Sequence, residues 1–335
     1  MANIWDVAKK AGVSKSTVSR VITSSGPVKY TTRELVEHAM KELDYTPNFF
    51  AQGMKNGKTK TIAFVNSDST NVFFNEMIAG IEDVAVDNDY MLLVCNTNRS
   101  PKRELQYIEQ LLKRQIDGII FSTYYLSNVK YLHNLSKTLP MVFVDNIFPN
   151  EDDVSTVISE GTKANQKIVE YLYGKGCRRI AYLKLHCLDV LNHRYQGYLN
   201  GLEKCGLEFN ERLVYKAEYG ESVKTFAHTG SKGMEQLMRQ TSPPDALMAS
   251  IDMLAIGAMQ YLQGVGILVP EQVKVVGYDD IELAQLVKPT LSTISQPTRL
   301  LGLEAARVLL HKITVDNSYN KQIVFDPDFI IRQST

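Results

Sequence analysis

The stretch Ile4-Trp-Asp-Val-Ala-Lys-Lys-Ala-Gly-Val-Ser-Lys-Ser-Thr-Val-Ser-Arg-Val21 sets the reading of the whole chain. Asn3 stands where its side-chain oxygen can cap a helix over Ile4–Ala11, with Asp6 in the first turn facing the positive end of the helix dipole. Gly12 ends that helix, because a left-handed backbone is easiest without a Cβ. Ser14 caps a second helix, Lys15 to Ile22, with Val18, Val21 and Ile22 on one side. Ala8 is small where the helices cross, and Val18 plugs the angle between them above Val7 and Val13. This is a helix-turn-helix pattern. Its outer face offers Lys15, Ser16, Thr17 and Arg20, donors suited to base edges and phosphates in a major groove.

Downstream, Thr31 and Glu34 are spaced as a capping box for a third helix, Thr32 to Leu43, with an apolar stripe of Leu35, Val36, Ala39, Met40 and Leu43. Pro47 interrupts the pattern, and 48–60 is short, basic and punctuated by Gly53 and Gly57, a linker with room for one helical turn over Phe50–Lys55. From Thr61 onward, near-continuous apolar runs alternate with amphipathic helices. The runs are Ile62–Asn66, Met91–Cys95, Gly118–Phe121, Met141–Asp145, Ile180–Leu183, Ala246–Ala249 and Val273–Tyr278. Such runs indicate parallel sheets covered on both faces. Spread over the remaining 275 residues, they suit two α/β lobes better than one.

Charge divides along the same line. Residues 1–60 hold ten Lys/Arg against five acids, a net +5, while the chain as a whole balances 37 against 37, leaving the body at −5. A basic head on a mildly acidic body suits a nucleic-acid-binding end. The four cysteines, Cys95, Cys177, Cys187 and Cys205, lie in or beside apolar runs without CxxC spacing and read as thiols of a reducing compartment. The N-terminus does not read as a signal peptide, and no run approaches the ~20 apolar residues of a membrane span. The expectation is a cytoplasmic protein with no membrane partner.

The ordered motifs Asp6-Val-Ala, Ala11-Gly-Val-Ser, Thr17-Val-Ser-Arg-Val and Leu43-Asp-Tyr-Thr-Pro-Asn resemble the LacI/GalR repressors. The likeness continues through Phe73-Phe74, Asp117-Gly-Ile-Ile, Gly176-Cys-Arg-Arg-Ile-Ala, Val276-Gly-Tyr-Asp-Asp and Pro289-Thr-Leu-Ser-Thr-Ile. The resemblance implies an α/β fold class: an all-α helix-turn-helix domain (1–46), a hinge linker (47–60) and a two-lobed body like the periplasmic sugar-binding proteins. The first lobe is expected over 61–160 plus 290–320, the second over 161–289 plus 321–335. It implies that Lys15, Ser16 and Arg20 read operator bases while Thr17 and Ser19 contact phosphates. Asn48, Ala51 and Met54 match a hinge that folds on DNA and wedges an apolar side chain into the minor groove, although Leu is usual where Met54 stands. A two-fold homodimer on a near-palindromic operator is expected.

The resemblance also implies a small effector, a sugar or related metabolite, between the lobes. Phe73, Phe74, Asp145, Arg194, Tyr219 and Asp279 occupy the matching positions. Phe73, Phe74 and Tyr219 suit ring stacking or core packing equally, and Asp279 suits ligand contact or a helix cap. Two departures stand out: Ile251 where an Asn is common, and Glu160 where an Asp is common. Asp252 is expected to cap a helix over Met253–Leu262.

An enzyme is the first rival reading. Gly264-Val-Gly266 mimics part of a dinucleotide fingerprint but lacks the third glycine and follows a helix, and no GxxxxGK[ST], GxSxG or HExxH occurs. His186, Cys187 and His193 fit no common metal spacing, so no cofactor or metal is expected. A sugar-binding module with no DNA role is the second rival, opposed by the basic helical head.

Overall fold

The computed structural model describes residues 2–23, 26–46, 58–122, 126–145, 153–185, 192–217 and 225–335. The chain forms two compact units, Met1–Thr59 and Lys60–Thr335.

In the first unit, α1 spans Ile4–Ala11 and α2 Lys15–Thr23. Asn3 Oδ1 accepts from the Trp5 and Asp6 amides, and the Asp6 carboxylate accepts from the Asn3 amide at 2.9 Å, a reciprocal capping box. Gly12 adopts φ 64°, and Ser14 Oγ accepts from the Thr17 amide at 3.2 Å. Val7, Ala8, Val18 and Val21 are buried together, with Val36 and Ala39 from α3 (Tyr30–Glu42) closing the core. The third helix departs from the sequence reading. It starts two residues earlier than expected, Lys29 at its N-cap makes no side-chain bond, and Thr31 lies inside the helix, so no Thr31–Glu34 box forms. Leu35 is exposed, because Val36 and Ala39 fill the seat left by α1 and α2.

The second unit is built on two six-stranded sheets. The first contains β1 (Thr61–Asn66), β2 (Met91–Asn96), β3 (Gly118–Ser122), β4 (Met141–Val144), β5 (Ser155–Ser159) and β11 (Gln322–Phe325), in the order β11-β5-β4-β3-β1-β2, all parallel. The second contains β6 (Ile180–Leu185), β7 (Val214–Ala217), β8 (Ala246–Ala249), β9 (Lys274–Asp279), β10 (Ser292–Ser295) and β12 (Asp328–Ile330), in the order β12-β10-β9-β8-β6-β7, with only β12 antiparallel. One face of the first sheet carries α4 (Phe73–Asp87) and α12 (Thr298–Thr314, which follows the short α11, Leu283–Leu286) over Ile62, Phe64 and Ile120. The other carries α5 (Pro101–Lys113) and α6 (Leu126–Ser136). The second sheet is covered by α7 (Gly161–Gly174) and α8 (Asn192–Lys204) on one face, and by α9 (Phe226–Met238) and α10 (Asp252–Gly264) on the other.

Helices on each sheet pack unusually close. A Cβ on Gly302 would strike the Met77 carbonyl across the α4–α12 crossing, and one on Gly257 would strike the Ala227 carbonyl across α9–α10.

The chain passes between the sheets after β5, after β10 and after β11. Two boundaries therefore differ from expectation. Ser292–Ser295, assigned from sequence to the first lobe, pairs with β9 in the second sheet, and Gln322–Phe325, assigned to the second lobe, pairs with β5 in the first. Both strands are four residues long, and their place is set by the partner strand rather than by any local pattern. No helix among the described residues is long and apolar enough to cross a membrane.

Candidate functional site: an exposed recognition helix and an interlobe cleft

On the first unit, α2 points Lys15, Ser16 and Arg20 into solvent, while Thr17 and Ser19 are half-buried and Val18 is wholly inside. Ser14 Oγ lies 2.7 Å from Ser16 Oγ and 2.9 Å from Thr17 Oγ1, which ties down the first turn of the helix. The Lys15 ammonium sits 4.9 Å from the centre of the Trp5 ring. Trp5, the sole tryptophan of the chain, is 64% exposed beside this cation. A large aromatic left in water next to the donors is an anomaly that the sequence reading passed over. Asn48, Ala51 and Met54 lie outside the described residues.

The cleft site begins at the carboxyl ends of the strands, where parallel α/β sheets bind their ligands. Arg194, on α8 of the second lobe, is only 1% exposed. Its Nη2 lies 3.6 Å from Asp145 Oδ1 at the end of β4 in the first lobe, and its Nη1 lies 3.5 Å from Asp279 Oδ1 at the end of β9. Nη1 also donates to the Ser250 carbonyl at 2.8 Å, and the guanidinium lies 3.7 Å from the centre of the Tyr278 ring. Both carboxylates sit on left-handed backbone, φ 52° at Asp145 and 121° at Asp279, a strain that non-glycine residues hold only where the surroundings impose it. Burial pushes the Asp279 carboxyl well above the usual carboxylate range, with Arg194 opposing the shift and Asp252 and Asp145 adding to it. Gln296 Nε2 donates to Asp279 Oδ1 at 2.9 Å.

Three of the six expected cleft residues thus meet at one point. Phe73 and Phe74 open α4 and are buried in the main core, their rings 5.4 Å apart edge to face. Tyr219 lies outside the described residues. Asp279 caps no helix: it ends β9. Ile251 is buried apolar surface, and Glu160 caps α7 through the Thr162 and Lys163 amides. Asp252 does not cap α10 as expected. It accepts from the Ile281 amide at 2.9 Å and the Thr293 hydroxyl at 2.5 Å, and burial raises its pKa to about 7.

The sequence reading missed a second link between the lobes. Arg99 Nε donates to Asp68 Oδ2 at 2.9 Å within the first lobe, and its guanidinium lies 4.5 Å from the centre of the Phe226 ring at the head of α9 in the second. The available signal was position: Asp68 follows β1 and Arg99 follows β2, both at strand carboxyl ends.

Residues 3–48 match the lacI family of bacterial regulatory proteins, and residues 169–335 match a periplasmic binding protein-like domain. The chain is 31% identical over 335 residues to the HTH-type transcriptional repressor CytR of Escherichia coli (strain K12), covering 100% of this chain and 96% of that protein. The chain belongs to the LacI family. Its fold superposes on the Lac repressor dimer bound to operator and the anti-inducer ONPF with a TM-score of 0.87, at 27% identity, over 100% of this chain and 99% of that one. It superposes on the CelR–cellobiose complex with a TM-score of 0.75, at 28% identity, over 100% of each chain. A LacI-family chain with both modules is a DNA-binding transcriptional repressor with an effector-binding body, and it is not an enzyme. The match over 3–48 disfavours a binding module without a DNA role.

Proposed function

We propose that this repressor acts in the cytoplasm as a homodimer on operator DNA, and that a small sugar-like metabolite held between its lobes sets operator affinity. The observation that carries the reading is the Arg194 bridge. A buried guanidinium of one lobe faces a carboxylate of the other, so a ligand that engages Arg194, Asp145 or Asp279 bears on the angle between lobes. Lys15, Ser16 and Arg20 read bases, and Thr17 and Ser19 position the helix on phosphates. That reading is supported by the outward face of α2 over a closed valine core. On sequence alone, the proposal extends to Asn48, Ala51 and Met54 as minor-groove contacts, with Met54 as the apolar side chain. The operator-bound Lac repressor dimer supports the dimer, and the cellobiose complex of CelR supports a sugar-like effector.

Coupling of the two sites needs only ~1–3 kcal/mol of differential binding to change operator affinity 5–150-fold. The test is fluorescence anisotropy on an operator selected from random DNA, with and without metabolites that bind the body. Lys15→Ala and Arg20→Ala should each weaken operator binding by ~1–3 kcal/mol. An operator affinity identical across every metabolite that binds would refute the coupling.

A further inference from the structure

Nothing in the folding of α1 calls for an indole at position 5. The helix buries Val7 and Ala8 and packs Ile4 and Ala11 against the same core, so its apolar stripe passes one residue to the side of Trp5. A ring that is 64% exposed presents apolar surface to water that a lysine or glutamate there would not. The ring does meet a cation. The Lys15 ammonium lies 4.9 Å from its centre, and among the described residues no carboxylate pairs with that ammonium. Both partners are fixed at their backbones. The Trp5 amide donates to Asn3 Oδ1 at 2.8 Å in the first turn of α1. Lys15 opens α2, whose first turn is held by the bond from the Thr17 amide to Ser14 Oγ. Val7 and Val18, wholly buried, lock the two helices together. The side chains differ in freedom. An indole turns about two angles only, whereas the four-carbon stem of a lysine ends in a mobile point charge. The stiff ring on one helix therefore restrains the flexible end from the other.

We infer that Trp5 is a positioning residue for operator reading: its ring holds the Lys15 ammonium at one place beside α2, so that Lys15 meets one base pair rather than sweeping over several. The inference rests on the proposed base-reading role of Lys15, and it adds what aims that side chain. An ammonium lacks the fixed fork of a guanidinium, so it discriminates between base edges only as far as its stem is held. A cation on an exposed ring is favoured by about two- to fivefold, and by more where water is excluded, as it is inside a groove. Ordering the stem before the encounter also removes part of the entropy lost on binding DNA. The exposed indole, which the core does not use, thereby gains a reason in recognition.

A double-mutant cycle of Trp5→Leu and Lys15→Ala in the full-length protein tests this, read by fluorescence anisotropy on the selected operator and on its single-base variants. Trp5→Leu should weaken operator binding by about two- to fivefold. It should lower base discrimination at the position where Lys15→Ala lowers it, and at no other. In the Lys15→Ala background the same substitution should change nothing. Trp5→Phe, which keeps a ring face, should retain part of what Trp5→Leu loses. Trp5 lies outside the core, so each of these variants should melt close to the parent. A loss spread evenly over all operator positions, or one that persists without Lys15, would show the ring acting on the DNA or the fold by itself; it overturns the inference and leaves Lys15 as a reader. Binding by Trp5→Leu as tight as the parent's, or tighter, with discrimination unchanged, also overturns it. If Lys15→Ala itself binds and discriminates like the parent, the base-reading proposal falls and the positioning role falls with it.

Discussion

Replacing Arg194 by alanine strands two carboxylates, Asp145 and Asp279, in an interior where the arginine itself is 1% exposed. Removing one partner of a buried ionic group costs ~3–5 kcal/mol, because the surviving charge keeps its desolvation penalty and loses its counter-charge. Loss of the guanidinium from the Tyr278 ring adds up to ~2 kcal/mol. For a body of this size 1 kcal/mol corresponds to ~2–4 °C, so Arg194→Ala should lower the melting temperature by ~6–28 °C. The deficit should depend on pH. Burial already holds the folded pKa of Asp279 above its unfolded value, so its contribution to stability is fully present below the unfolded pKa and is lost as pH rises through the folded one. Arg194 opposes that rise; without it the folded pKa climbs further, so the loss with rising pH deepens. Thermal unfolding of the full chain by circular dichroism should therefore show a smaller deficit at pH 5 than at pH 8, and adding Asp279→Asn to Arg194→Ala should recover part of it at pH 8. A melting temperature within 2 °C of the parent at both pH values would refute the argument, since it would mean that the two carboxylates are not confined with the arginine.

Asp252, pushed up to about 7 by burial, should make the body lose stability as pH rises from about 4 to about 7, by at most ~4 kcal/mol. Asp252→Asn should flatten that part of the pH–stability curve, since its amide can still serve both the Ile281 amide and the Thr293 hydroxyl; an unchanged curve would reject the assignment. Gly257→Ala forces a methyl against the Ala227 carbonyl across α9–α10 and should destabilise the body by ~1–3 kcal/mol in denaturant titration, whereas Gly264→Ala, where a Cβ meets nothing, should cost no stability. Trp5 is the only indole and stands beside Lys15, so operator binding should change the protein's tryptophan emission; an unmoved spectrum at saturating operator would put the α1–α2 face away from the DNA.

Much of the fold was legible because its signals are local. Asn3, Gly12 and Ser14 mark helix ends through single hydrogen bonds or a single left-handed residue, and the observed α1 runs over Ile4–Ala11 as read. β1, β3 and β8 announce themselves as short apolar runs because parallel strands are buried on both faces. β5, β7, β10, β11 and β12 do not: they are three to five residues long, several are polar, and they exist because a neighbouring strand offers a ladder. Asp252 has the spacing of a cap, yet its bonds go to residues 29 and 41 positions away.

Sequence by itself determined the helix-turn-helix, the alternation of strand and helix, and the segregation of positive charge to the first sixty residues, since each depends on periodicity, on one capping side chain or on a count of charges. Only the tertiary structure decided that Asp145, Arg194, Ser250, Asp279 and Gln296 come together. Those residues come from distant parts of the sequence and from both lobes, and what makes them a site is the loss of water around them, which happens only when three chain crossings bring the two lobes together.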